Sequence, residues 1–300
     1  MNIYLPIAEI SINIYLLLTL GLSIGFLSGL FGIGGGFIAS PLLILAGIPA
    51  TIAVGTTTIQ VFASSSTGAI NHLQKKNVDF QMVTILIIGG FIGTLIGVYT
   101  LKTINSSGLV ENYLYIFYAT ILSLTAIFIL SESAKENAKK KKGKFKLHDH
   151  SWIHGLPLKI KFRKSKLYIS IFAPLIIGFF IGILTGFTGI GGGFILVPCM
   201  IYILGMKTVS VIGTSLFNIT IVSLISVFLQ VFINHNLDFI LAIILIVSSS
   251  LGAAIASRFI EKIKVDVLKV AFGFLILIIA SLLIYELVRT PIYLQTIDIL

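Results

Sequence analysis

Apolar residues run along this chain in ten blocks with short polar or glycine-rich breaks between them. The blocks fall at about 14–31, 37–47, 50–73, 80–101, 112–130, 167–188, 194–204, 208–233, 239–257 and 265–288. A run of 18 or more apolar residues predicts a membrane-crossing helix, because about 20 residues rising 1.5 Å each cross a hydrocarbon core of about 30 Å. The blocks at 37–47 and 194–204 have only 11 residues. They reach about 17 Å, too short to cross alone, and are predicted as half-helices or arms of a hairpin inside the membrane. The first block is not read as a cleaved signal peptide: residues 1–13 hold no basic residue and carry Glu9.

The blocks repeat. Residues 25–41 read GFLSGLFGIGGGFIASP and residues 182–198 read GILTGFTGIGGGFILVP, identical at 11 of 17 positions. The likeness continues in Gly55-Thr56-Thr57 against Gly213-Thr214-Ser215, in Asn77-Val78-Asp79-Phe80 against Asn236-Leu237-Asp238-Phe239, and in Gly93 against Gly252. The predicted organisation is a first membrane repeat over 14–130, a basic loop over 131–166 and a second membrane repeat over 167–288.

Charge then decides orientation. Residues 131–166 hold 12 of the 21 Lys and Arg and 3 of the 11 Asp and Glu, so nearly all of the net charge of +10 belongs to one loop. If each half makes four crossings, 15 basic residues lie on the side of that loop and 6 opposite. If the short segment turns back, so that each half makes an odd number of reversals, the division is 19 to 2, with only Lys102 and Arg289 opposite. Basic residues favour the cytoplasmic side. The second arrangement therefore predicts a cytoplasmic loop at 131–166, an external N-terminus and two halves of inverted topology. The expected fold class is an all-α polytopic membrane protein of two inverted repeats, each with about four full spans plus one short broken or re-entrant helix.

Composition excludes other classes. The chain is 57% hydrophobic and 11% charged, with mean hydropathy +1.07, against about 25% charged in soluble domains. A soluble enzyme or nucleic-acid-binding domain is excluded, and the basic loop is read as a cytoplasmic anchor near anionic lipid. No charged residue lies in the middle of any block, which argues against a carboxylate proton relay, a cation site or an embedded enzyme. There is no nucleotide-binding motif, and the single cysteine, Cys199, excludes a cysteine-based metal site. No cofactor and no metal are expected. His148, Asp149, His150 and His154 are better read as loop residues than as ligands.

The chemistry left is uncharged. Gly34, Gly35 and Gly36 in one half, and Gly191, Gly192 and Gly193 in the other, do not continue a helix well. Broken backbone at membrane depth survives only inside protein or beside a water-filled cavity. Its free N–H groups and the dipole of the helix that follows suit an anion without Lys or Arg; the alternative is a tight crossing of backbones. Thr56, Gln60, Ser64, Thr67 and Asn71 share one helical face, and Thr214 and Asn218 repeat its start, with Thr57 and Ser215 beside it. Their hydroxyls and amides can orient an oxyanion, or can satisfy helix carbonyls. His72, close to Lys75, is a candidate proton carrier, although an interfacial histidine needs no special role. Asp79 and Asp238 open helices at equivalent places and are read as N-caps. Gly21, Gly25 and Gly29, Gly178, Gly182 and Gly186, and Gly89, Gly93 and Gly97 form small-residue faces for close helix packing.

The duplicated GxGGGF-x3-P stretches ending at Pro41 and Pro198, the Gly-Thr pairs at Gly55-Thr56 and Gly213-Thr214, and the N-x-D-F turns resemble the sulfite exporter TauE/SafE family over about residues 14–288. The resemblance implies an integral membrane transporter of sulfite, organosulfonates or related sulfur-containing or small carboxylate anions. The sequence reading is thus a secondary transporter working by alternating access in the cell membrane. Its expected partners are a small anionic substrate and membrane lipid, not nucleic acid, and the reading leaves room for a homo-oligomer. A passive anion channel, and a membrane receptor or scaffold acting through the basic loop, are the rival readings.

Overall fold

The computed structural model describes residues 2–31, 36–106, 108–142, 158–162, 164–165, 167–206, 208–259 and 265–289. Each half opens with a small antiparallel hairpin. Strands β1 (Asn2–Leu5) and β2 (Ile10–Asn13) precede the first half, and β3 (Lys159–Phe162) and β4 (Leu167–Ser170) precede the second. The first half continues as α1 (Ile14–Phe31), the short α2 (Gly36–Leu45), α3 (Ala50–Gln74), α4 (Phe80–Ser106) and α5 (Val110–Lys142). The second runs as α6 (Phe172–Thr188), the short α7 (Gly193–Pro198), α8 (Thr208–Leu229), α9 (Phe239–Phe259) and α10 (Val265–Arg289). A π-helical turn extends α7 over Cys199–Ile203, and another extends α8 over Gln230–Asn234.

The protein is an all-α polytopic membrane protein. Among the described residues, five stretches are long and apolar enough to cross a membrane: Phe80–Ser106, Val110–Ser131, Ser210–Asn234, Phe239–Ala256 and Val270–Arg289. The two 11-residue blocks form short helices, as their length predicts. The block at 167–188 differs from expectation at its start. Leu167–Ser170 pair with β3, and the helix begins only at Phe172. Pro174 sits in its first turn, where a missing N–H costs nothing.

The small-residue faces decide how the halves meet. A Cβ on Gly93 would lie 2.0 Å from the Phe179 carbonyl oxygen, and one on Gly182 would lie 2.2 Å from the Gly90 carbonyl oxygen. Gly89, Gly93 and Gly97 meet Leu175, Phe179 and Ile183 in turn, so α4 and α6 run parallel in backbone contact. The pair α1 and α9 does the same, with Gly21 against Ser248, Gly25 against Ser249 and Gly252 against Leu22. Equivalent helices of the two halves behave oppositely. Along α3 and α8, Ser65 meets Thr220, Gly68 meets Leu216 and His72 meets Gly213, an antiparallel crossing. In α5 and α10, Tyr115 lies near Glu286 while Leu130 lies against Gly273, again antiparallel.

Asp79 and Asp238 cap the helices that follow them. Asp79 Oδ1 accepts from the Met82 N–H at 3.3 Å, and Asp238 Oδ1 accepts from the Ile240 and Leu241 N–H groups at 3.1 Å. Their second oxygens hold the hairpins. Asp238 Oδ2 accepts from the Ile7 N–H at 3.1 Å, and Asp79 Oδ2 accepts from Ser165 through its N–H at 3.0 Å and its hydroxyl at 2.5 Å. Each hairpin is thereby tied to the capping aspartate of the other half.

Candidate functional site

The antiparallel crossing of α3 and α8 is the centre of the molecule, with Ser65 and Thr220 hydroxyls 3.1 Å apart near its midpoint. The buried polar residues of the sequence stripe are distributed along it. With a rise of 1.5 Å per residue, Gln60 and Asn218 lie on opposite sides of the midpoint, about 10 Å apart along the axis. Thr56 and Thr214 lie near opposite ends, about 22 Å apart. Within the stripe, Thr67 and Asn71 are exposed and Ser64 is half-buried.

The outer pair is engaged with the turns. Thr56 Oγ1 accepts from the Asp238 N–H at 3.3 Å, and Thr214 Oγ1 accepts from the Asp79 N–H at 3.0 Å. A chain of contacts therefore runs at each end from a hairpin, through the capping aspartate of the other half, back to a threonine of the hairpin's own half. Ser215 donates to the Ile212 carbonyl at 3.1 Å. Thr57 donates to the Ala53 carbonyl at 2.7 Å and lies 2.6 Å from the Ser40 hydroxyl. A polar cavity of about 190 Å³ lies at the Asp238 end, lined by Thr51, Asn105, Asn234, His235 and Asn236, with Ile7 of the hairpin. His72 is half-buried near the other end of α3, its Nδ1 without a partner among the described residues.

The inner pair is different. Asn218 is wholly buried, and neither its Nδ2 nor its Oδ1 has a hydrogen-bond partner among the described residues. Among the described residues, the Oε1 of Gln60, 1% exposed, has no partner, nor does the hydroxyl of the buried Ser226, on the stretch of α8 level with Gln60. An unpaired buried polar group costs about 1–3 kcal/mol. Protein interiors avoid such groups, and where they occur together a ligand or water is the usual reason.

The glycine segments meet at this level. Gly189, Gly191 and Gly192 have φ of 71°, 76° and 63°, a left-handed backbone that ends α6 and reverses the chain into α7. The N-cap of α7, Gly192, has no side chain to cap the helix, and its carbonyl accepts from the Ile195 and Leu196 N–H groups at 3.1 and 2.9 Å. Space is also short. A Cβ on Gly191 would lie 2.5 Å from Val61, one on Gly36 would lie 2.0 Å from Val61 and 2.9 Å from the Ile190 carbonyl oxygen. The rings of Phe37 and Phe194, one residue after each glycine run, have centroids 3.9 Å apart. Gly36 and Gly191 are thus brought together against Val61 of α3, whereas a Cβ on Gly192 would lie 2.4 Å from Ile181 of α6. Gly34 and Gly35 lie outside the described residues, as do His148, Asp149, His150 and His154.

Sequence reasoning missed Ser40, Tyr118 and Ser226. Ser40 and Tyr118 are wholly buried and approach the Thr188 carbonyl oxygen, at 3.2 Å and 2.5 Å. Ser40 has no counterpart in the repeat, where Val197 stands, so the repeat gave no signal for it. Ser226 lies eight residues after Asn218 on the same helical face and was open to discovery by extending the stripe.

Comparison with known proteins agrees with this architecture. The family model described as Sulfite exporter TauE/SafE matches residues 17–283. The chain is 24% identical over 280 residues to the probable membrane transporter protein YunE of Bacillus subtilis, covering 90% of this chain and 97% of that protein. It is 26% identical over 272 residues to a probable membrane transporter protein of Xylella fastidiosa, covering 88% and 92%. Over a shorter stretch of 112 residues it is 32% identical to the Sulfite exporter TauE/SafE family protein 5 of Arabidopsis thaliana, covering 37% of this chain and 24% of that protein. No solved structure gives a significant match.

Proposed function

The chain belongs to the sulfite exporter TauE/SafE family of membrane transporters, and from that premise we propose that it moves a small oxyanion across the cell membrane by alternating access between two inverted halves. The helix directions support the inversion. A two-fold axis in the membrane plane reverses every helix relative to its counterpart, so counterparts that pack together must be antiparallel. The pairs α3/α8 and α5/α10 are antiparallel, whereas the non-equivalent pairs α4/α6 and α1/α9 are parallel. Placing the N-terminus outside puts Lys75, Lys76 and the loop at 131–166 in the cytoplasm, in line with the distribution of basic residues.

The observation that carries the binding reading is the Asn218 carboxamide, wholly buried with neither polar atom partnered among the described residues. An oxyanion would accept a hydrogen bond from the Asn218 amide nitrogen at one subsite, or from the Ser226 hydroxyl at the other, where the Gln60 amide would orient it. Backbone N–H groups of Gly191, Gly192 and Gly193, and of Gly34, Gly35 and Gly36, would complete the two subsites. No formal positive charge is needed, because aligned N–H dipoles stabilise negative charge where water is excluded. Thr57 and Ser215 would shape the inner walls. Thr56 and Thr214 would hold the turns that close each end. His72 would supply a proton route if transport is proton-coupled. Sulfite, organosulfonates and small carboxylates are the substrate classes that suit such donors.

The test is counterflow in vesicles containing the purified protein, with labelled sulfite, sulfate, methanesulfonate and acetate. Saturable uptake accelerated by the same anion on the opposite side is expected for at least one of them. Flux that neither saturates nor responds to the opposite side would indicate a channel and overturn alternating access.

A further inference from the structure

We infer that Tyr118 is a positioning residue for anion binding: its hydroxyl reaches from the first half to hold the unwound backbone of the second half in its binding conformation. The inference rests on the transport reading above. Tyr118 is wholly buried on α5, and its hydroxyl donates to the Thr188 carbonyl oxygen at 2.5 Å. Thr188 is the last residue of α6, so its carbonyl is one of those a helix end leaves without an intrahelical donor. Ser40 on α2 lies 3.2 Å from the same oxygen and 2.6 Å from Thr57 on α3. Three helices of the first half thus converge on one peptide group of the second.

That peptide group leads directly into the glycine segment. Gly189 follows it with φ 71° and donates its N–H to the Thr185 carbonyl at 2.9 Å. A Cβ on Gly189 would lie 2.4 Å from the Val54 carbonyl oxygen and 2.8 Å from Thr57 Oγ1. The Thr188 side chain accepts from the Ile190 N–H at 3.4 Å. The direction of the N–H groups at Gly191 to Gly193 therefore depends on how the Thr188–Gly189 turn is held.

Burying the Tyr118 hydroxyl is favourable only with an acceptor, and the Thr188 carbonyl oxygen supplies it.

The experiment compares wild type with Tyr118→Phe and Ser40→Ala, each as the full chain. Binding is measured by calorimetric titration with sulfite and with methanesulfonate, and transport by vesicle counterflow with the same anions. Tyr118→Phe keeps the ring and removes one hydrogen bond, so dissociation constant and half-saturation should rise about two- to tenfold. Maximal flux should stay within a factor of two, and the thermal unfolding midpoint should stay close to wild type. Ser40→Ala should shift half-saturation in the same direction by a smaller factor, and it carries the test if Tyr118→Phe does not fold. Unchanged half-saturation in an active protein, or a loss of maximal flux alone, overturns the positioning role. Wild type that neither binds nor transports any of the anions would instead refute the transport reading itself.

Discussion

Replacing Gly182 by alanine sets two physical effects against each other with opposite signs. In a helix interior, alanine is favoured over glycine by about 1 kcal/mol. Gly182, however, lies where α6 touches the backbone of α4: an added Cβ would fall 2.2 Å from the Gly90 carbonyl oxygen and 2.9 Å from the Gly90 Cα. Such atoms do not approach within 3.0 Å, so the helices must part by close to an ångström. A gap of about 0.5–1 Å forfeits a quarter to a half of each contact's dispersion energy. Neighbouring residues repeat the contact, with Gly178 against Leu86 and Gly186 against Thr94, so the separation is felt along the interface. Overpacking of this kind costs about 1–3 kcal/mol, and the net change should be a loss of up to about 2 kcal/mol. Reversible unfolding in mixed detergent, followed by helical circular dichroism, measures it. Phe180→Ala, at a lipid-exposed position on the same helix, is the control and should change stability little. A Gly182→Ala protein more stable than wild type by the alanine preference of about 1 kcal/mol would refute the backbone contact between α4 and α6.

Asn218→Leu should reduce anion uptake at least tenfold while leaving stability unchanged or raised, because it removes a buried amide without partners; uptake at the wild-type rate would remove Asn218 from the site. Asp238→Ala should cost about 1–2 kcal/mol through the lost cap and should release the β1–β2 hairpin, read as faster proteolysis near Ile7. Hairpin cleavage at the wild-type rate would show that the aspartate does not hold it.

The positions of the spans, the two short helices and the internal repeat were legible because each depends on local length and apolar content. The capping roles of Asp79 and Asp238 were legible for the same reason. Pairing was not. Periodicity marks Gly89, Gly93 and Gly97 as one small face, but nothing local says that this face meets Gly178, Gly182 and Gly186. The hairpins escaped notice because their strands have four residues each, and the apolar Leu167–Ser170 blends into the helix that follows. The repeat register aligns Thr56 with Thr214 and Gln60 with Asn218, which suggests one cluster. Because α3 and α8 run antiparallel through a crossing near Ser65 and Thr220, aligned residues are moved apart in proportion to their distance from that crossing. Tyr118 was hidden in an aromatic run, Tyr113 to Tyr118, in which nothing local separates the wholly buried phenol from the exposed one at Tyr113.

Inverted topology is the claim on which the transport account depends, and the sidedness of two equivalent turns measures it directly. Lys75 follows α3 and His235 follows α8, and both are exposed. Single cysteines at these positions, with Cys199 replaced by serine, can be labelled by a membrane-impermeant maleimide in vesicles of known orientation. Lys75→Cys should react only from the cytoplasmic face and His235→Cys only from the external face. Reaction of both from the same face would contradict inverted topology.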